Sequence, residues 1–178
     1  IAGCCKTPGS QKAWVYRTLA GDDHASYIAA LRKEGYRINT VDFHGRAQPP
    51  GSGWGAFLRT SQSGVVYFVT HSSATGISLQ SFAREADAST ALARVQARYD
   101  AGDIAWWQES NGTWWMDATP QGISNHWQSN DTIVHAASCY SITLAGSFAA
   151  REYFGYTGIT SASVAKPHTD KLWRRLTG

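Results

Sequence analysis

The stretch GVVYFVTHSS, residues 64–73, decides the fold class of this chain. From Val65 to Thr70 the sequence is continuous, largely apolar and rich in β-branched and aromatic residues, which is typical of a strand. Because the apolar run does not alternate with polar residues, it predicts a strand that is covered on both faces, as in a parallel sheet. Polar residues follow at once, beginning with His71, whose imidazole is chemically active.

Strands and helices are predicted to alternate on both sides of this stretch. The other predicted strands are KAWVYRTLAG, YRINTVDFHG, TIVHAASC and YTGITSASV. The predicted helices are DDHASYIAALRKEG, WGAFLRTS, DASTALARVQARYDAG, SITLAGSFAAREYFG and HTDKLWRRLTG. Such alternation predicts an α/β fold with a mostly parallel sheet and helices on both faces.

An aromatic segment interrupts this alternation. IAWWQESNGTWWMDATP predicts a β-hairpin whose two strands flank an Asn111-Gly112 turn, while RAQPPGSGWG is rich in proline and glycine and predicts a loop. We therefore expect one domain over residues 1–178, with an insertion at about residues 82–130.

Composition excludes several function classes. The formal net charge is only +3, and Lys and Arg are scattered, so a nucleic-acid partner is not predicted. No apolar run approaches 18 residues, so no membrane span is predicted. No CxxC pair, HExxH motif or phosphate-binding glycine loop occurs, so neither a metal nor another cofactor is expected.

The three cysteines do not form a disulfide framework, because their number is odd and Cys4 and Cys5 are adjacent. IAGCC at the start of the sequence resembles a bacterial lipoprotein cleavage box, although no apolar segment precedes it. Localisation therefore stays open between the cytoplasm and a secreted or surface lipoprotein. Cys139 has no obvious disulfide partner and is interpreted as a free thiol.

Two predicted strands end in chemically active residues. GVVYFVTHSS leads to His71, and DTIVHAASCYS, residues 131–141, leads to Cys139. Chemistry in parallel α/β sheets collects at the carboxyl ends of the strands, so neighbouring strands would bring imidazole and thiol together. A thiolate can attack a carbonyl carbon while a histidine transfers protons, and small flanking residues such as Ser72 and Ser138 leave room for a substrate.

These two blocks resemble the caspase-like superfamily of cysteine peptidases, which includes caspases, metacaspases, gingipains, legumain and separase. VVYFVTHSSATGISLQ is similar to the histidine block of that superfamily, and TIVHAASCYSITLAGSFAAREYFGYTGITSAS is similar to its cysteine block. The similarity in order extends from Lys12 to about Val164 and is weakest across the insertion. It implies a three-layer caspase-like fold and hydrolysis of peptide bonds.

The resemblance also implies residue roles. Cys139 would be the nucleophile and His71 the general acid and base, with the backbone N–H groups of Cys139 and Ser72 as oxyanion donors. Asp22 and Asp23 after the first strand, together with Ser138, would contact the substrate. Helix capping remains an alternative role for Asp23. Expected partners are a peptide or protein substrate and an activating or regulatory protein.

Other residues compete for these roles. Cys139 could be a buried structural thiol. His44 precedes a literal glycine after the second strand, His126 lies upstream of the cysteine strand, and His135 lies within it. A separation of four residues along a strand, about 13 Å, places His135 too far from Cys139 for direct proton transfer.

Two other functions remain open. In the caspase-like superfamily a glycine usually follows the histidine, whereas Ser72 stands here, so a catalytically silent domain that binds a peptide or protein partner is one alternative. The other is a sugar-binding surface built from the tryptophans of the hairpin, although these residues are also suited to ordinary packing. Those tryptophans are Trp106, Trp107, Trp114 and Trp115.

Overall fold

A computed structural model describes residues 10–20, 25–44 and 48–176 of the chain. The strands are β1 Lys12–Arg17, β2 Arg37–Asp42, β3 Val65–Val69, β4 Ser72–Ser73, β5 Gly76–Phe82, β6 Ile104–Gln108, β7 Trp114–Ala118, β8 Ile133–Ala137 and β9 Glu152–Phe154. The helices are α1 Ala25–Lys33, α2 Ser52–Thr60, α3 Glu85–Asp100, α4 Pro120–His126 and α5 Ala162–Leu176, and a 3-10 helix spans Ser141–Leu144.

A five-stranded parallel sheet of order β2-β1-β3-β8-β9 forms the centre of the fold. β3 is its middle strand, and its side chains alternate between two apolar cores. Val65, Tyr67 and Val69 pack in one core with residues of α1 and α5, whereas Val66 and Phe68 pack in the other core with residues of α2 and of the second sheet. The prediction of a mostly parallel sheet covered on both faces is confirmed.

The second sheet is antiparallel and has the order β4-β5-β7-β6. β6 and β7 form the predicted hairpin, and Gly112 in its turn adopts a φ of 87°, a left-handed conformation that favours glycine. Met116 belongs to the apolar core, and Trp106 packs against that core. Trp107 and Trp115 are cross-strand partners whose rings stack at 5.8 Å, so they occupy the other face of the hairpin.

The prediction for the segment after Cys139 is wrong. We expected a helix over residues 141–155 and a strand over 156–164, but only the single 3-10 turn Ser141–Leu144 forms, and the fifth parallel strand is β9. Buried Ser141 explains part of this difference, since its Oγ donates to the Ala136 carbonyl (2.8 Å) and accepts from the Tyr156 N–H (3.0 Å). These bonds fold the chain back toward β8 and compete with a regular helix.

Helix boundaries differ from the sequence expectations in four further places. α2 begins at Ser52 inside the predicted loop, and α5 begins at Ala162, earlier than expected, with Pro167 within it. α3 begins at Glu85, two residues before the predicted segment DASTALARVQARYDAG. α4 was not predicted; its N-cap is Thr119, whose hydroxyl accepts a hydrogen bond from the Gly122 N–H.

Several expectations concern residues outside the described part of the chain. These are the lipoprotein-like start with Cys4 and Cys5, and the two acidic residues Asp22 and Asp23. Across the ranges that the structure describes, no helix combines the length and apolar character needed to cross a membrane. Within the same ranges, no three His, Cys, Asp or Glu side chains are grouped as metal ligands would be.

Candidate active site

His71 and Cys139 lie just beyond the carboxyl ends of two neighbouring strands. Val69 of β3 pairs with Ala137 of β8 in a parallel register, and each of the two candidate residues follows its pair by two positions. Because the two strands are parallel neighbours, both candidate residues lie at the same edge of the sheet. Both line one cavity of about 230 Å³.

Hydrogen bonds connect the ends of these strands. The Ser72 hydroxyl donates to the Cys139 carbonyl, which ties the residue after the histidine directly to the cysteine. The backbone carbonyl of His71 accepts from the Ser78 N–H at 2.9 Å. Both sheets therefore hold His71 in position, because β3, the strand before it, pairs with β8, and its carbonyl accepts a hydrogen bond from β5.

Cys139 sits at a sharp turn. Tyr140 has a φ of 52°, a left-handed conformation that is uncommon for a residue with a side chain, and its own side chain is exposed. The Cys139 Sγ lies 3.4 Å from both the N–H and the carbonyl oxygen of Thr160. The thiol is partly exposed and belongs to no disulfide. It therefore faces the cavity while the backbone before α5 holds it.

Ser138 lines the same cavity. The residue is only 2% exposed, and its Oγ has no hydrogen-bond partner in the part of the chain that the structure describes. A buried hydroxyl without a partner carries an energetic cost. The substrate-contacting role expected for Ser138 stays a prediction.

The environment of His71 keeps its imidazole neutral at neutral pH. Burial lowers the pKa of His71 below its usual 6.5, and the nearby Glu109 carboxylate offsets part of that effect. The His71 Nε2 lies 3.6 Å from the Glu109 Oε1, and the ring packs edge-to-face against Trp115 with centroids 4.6 Å apart. A neutral imidazole can accept a proton, as a general base must.

A second cavity of about 350 Å³ adjoins His71, with Trp106, Trp107 and Asp117 among its lining residues. Cys139 is not among the residues that line it. Asp117 is 4% exposed, and burial raises its pKa from 3.8 to about 6, against the opposing effects of the neighbouring Ser78 and Trp107. The Trp107 indole N–H donates to the Asp117 Oδ2 at 2.9 Å.

Sequence reasoning missed Glu109, Asp117 and Thr160. The first two lie at the end of β6 and within β7, so the alternation of the hairpin could have placed Asp117 on the same face as Trp115. No local signal could have placed that face against His71, because this depends on how the second sheet packs. Thr160 was hidden by the incorrect prediction of a strand around it.

The competing histidines lie elsewhere. His44 is exposed beyond the end of β2, and two strands, β1 and β3, lie between β2 and β8. His126 bonds to the Asp103 Oδ2 at 2.7 Å, and His135 is buried within β8, stacked on Tyr67. These three histidines are absent from the residues that line the cavity with Cys139.

Comparisons with known proteins assign no family to this architecture. No family model matches the chain, and neither the curated proteins nor the solved structures include a significant match to it.

Proposed function

We propose that this chain is a cysteine peptidase of the caspase-like type, with Cys139 as the nucleophile and His71 as the general acid and base. The observation that carries the proposal is the meeting of His71 and Cys139 in one cavity at the carboxyl ends of adjacent parallel strands. The parallel five-stranded sheet with helices on both faces and the inserted hairpin agree with the three-layer, mostly parallel architecture that the resemblance implies. Together these features match the two sequence blocks that resemble that superfamily.

The proposed reaction is acyl transfer through a thioester. His71 takes the thiol proton as the Cys139 sulfur attacks the carbonyl carbon of a peptide bond, and it then gives this proton to the departing amine as the C–N bond breaks. Water next attacks the thioester and transfers a proton to His71 while the C–S bond breaks, which regenerates the thiol. Backbone N–H groups of Cys139 and Ser72 are the proposed donors to the oxyanion.

Site-resolved alkylation tests this proposal. The protein is labelled with iodoacetamide at pH 6.5. Mass spectrometry of its peptides then follows the modification of Cys139 separately from that of Cys4 and Cys5. We expect His71→Ala to slow labelling about tenfold or more, since the imidazole no longer promotes the thiolate. His44→Ala is the matched control and leaves the rate unchanged. Equal rates in wild type and His71→Ala, or peptide hydrolysis that survives Cys139→Ala, would refute the dyad.

One observation favours a second candidate, a silent domain that binds a peptide or protein through the same cavity. Both the N–H and the carbonyl of Thr160 contact the Cys139 Sγ, so the sulfur is already occupied by the chain itself. A silent domain would bind peptides equally well in wild type and Cys139→Ala and would show slow labelling in both wild type and His71→Ala.

A further inference from the structure

The cavity on the Asp117 side of His71 contains a buried carboxyl group that has only neutral hydrogen-bond partners among the described residues. The Trp107 indole N–H donates to the Asp117 Oδ2 at 2.9 Å, and the neighbouring Ser78 side chain also hydrogen-bonds to the carboxyl group. Asp117 is only 4% exposed and is among the residues that line the cavity. A buried carboxylate without a counter-charge is costly, and a cation from outside would offset that cost.

The other lining residues suit an organic cation. Trp106 and Trp107 line the cavity, and aromatic rings attract ammonium and guanidinium groups. Ser78, directly opposite Asp117 on β5, is fully buried beside the carboxyl group and also lines the cavity. Of the described residues that line this cavity, none is Lys or Arg, so the chain supplies no cation of its own there.

We propose that this Asp117 pocket binds the ammonium or guanidinium group of a substrate, on the leaving-group side of the reaction. The assignment to the leaving-group side follows from His71, which lines both cavities, whereas Cys139 lines only the cavity of about 230 Å³. Because the histidine protonates the departing amine, the space on its far side receives the departing part of the substrate. The assignment of this side rests on the proposed peptidase function; the cation site itself does not.

A binding experiment tests the cation site without any turnover. The protein is Cys139→Ala, and the probes are n-butylguanidinium, n-butylammonium and the neutral n-butylurea, titrated at pH 7.5. The readout is the NMR signal of the Trp107 indole N–H, because this group contacts the Asp117 carboxylate. We expect at least one cation to bind about 10- to 100-fold more tightly than the urea, as hydrogen bonds to a charged group are stronger than neutral ones. The comparison of the two cations distinguishes a lysine-like from an arginine-like ligand.

Asp117→Asn and Glu109→Gln, each made in the Cys139→Ala background, locate the binding site. Asp117→Asn should reduce the affinity for the cation to that of the urea, whereas Glu109→Gln removes a nearby carboxylate outside the pocket lining and should retain most of it. Equal affinity for all probes, or loss of cation binding only in Glu109→Gln, would overturn the pocket assignment.

Failure of the pocket and failure of the peptidase proposal are distinguishable. Cation binding that depends on Asp117, in a protein whose wild type shows no thiol-dependent hydrolysis, would retain the pocket and refute the peptidase. Hydrolysis that depends on Cys139, without cation binding, would do the reverse. If both hold, peptides with arginine after the scissile bond should be cleaved with a higher kcat/KM than their citrulline counterparts, and equal values would overturn the leaving-group assignment.

Discussion

Replacing Asp117 with asparagine is expected to stabilise the folded protein at neutral pH and to change its stability little near pH 4. The ionised carboxylate is disfavoured in the fold, because burial raises its pKa from 3.8 to about 6. In the unfolded chain the same group ionises near 3.8. The fold is therefore free of this penalty below the unfolded pKa, acquires it as pH rises between the two values, and carries it in full above about pH 6.

The magnitude follows from the difference between the two pKa values. A difference of one in pKa is worth ~1.4 kcal/mol, so the buried carboxylate costs about 3 kcal/mol at pH 7.5. Asparagine has nearly the same shape and retains an oxygen that can accept from the Trp107 indole. We therefore expect the variant to be more stable than wild type by about 2–3 kcal/mol at pH 7.5, with a gain that shrinks toward zero at pH 4.

Urea unfolding of both proteins at several pH values, followed by far-UV circular dichroism, measures this difference. Asp103→Asn is the matched control, since Asp103 is also buried but well partnered. Burial alone would raise the pKa of Asp103, but hydrogen bonds from His126, Asn125 and Arg98 outweigh it and lower the pKa. This control should lose stability at neutral pH, with a loss that fades as pH falls below 3.8. A stability gain in Asp117→Asn that does not vary with pH would refute the reasoning.

Three further predictions concern the surroundings of the site. Glu109→Gln should lower the pKa of His71, because the carboxylate raises it in the native fold; an NMR titration of the imidazole that shows no change would contradict this. Ser141→Ala should cost about 2 kcal/mol of unfolding free energy, because two hydrogen bonds of the Ser141 hydroxyl are lost. Ser138→Ala removes a hydroxyl that has no partner among the described residues and should cost less than about 0.5 kcal/mol. Equal urea midpoints for the two variants would contradict this prediction. Gly122→Ala should destabilise by more than about 3 kcal/mol, since the added Cβ would lie 2.1 Å from the carbonyl oxygen of the residue before β6; an unchanged melting temperature would contradict this.

The central sheet could be predicted from the sequence because its strands are locally unambiguous. Val65–Val69 is continuously apolar, and the strand that ends before Cys139 is similar, so their chemistry-bearing ends were visible before their pairing. The segment after Cys139 could not be predicted, because Ser141 forms its decisive bonds with residues on both sides of it in sequence. Its apolar pattern alone favours a helix, and the tertiary hydrogen bonds override that preference.

The candidate site was predictable only in part for a similar reason. His71 and Cys139 are strand-end residues, and a rule about parallel sheets brings them together. Glu109 comes within 3.6 Å of His71, and Asp117 lines a cavity with it, through the packing of one sheet against another, which no periodicity in the sequence encodes. The tryptophans of the hairpin divide as ordinary sheet alternation requires, with Trp106 packed against the core and Trp107 stacked on Trp115 on the other face.

The pairing of β3 with β8 has a consequence for synthesis of the chain. Val65 pairs with Ile133, so β3 is translated well before its partner, and the antiparallel sheet is made in between. Until β8 emerges from the ribosome, the most apolar strand of the protein has an unpaired edge, which is a site for aggregation. A nascent chain therefore passes through a stage in which it needs protection from other chains.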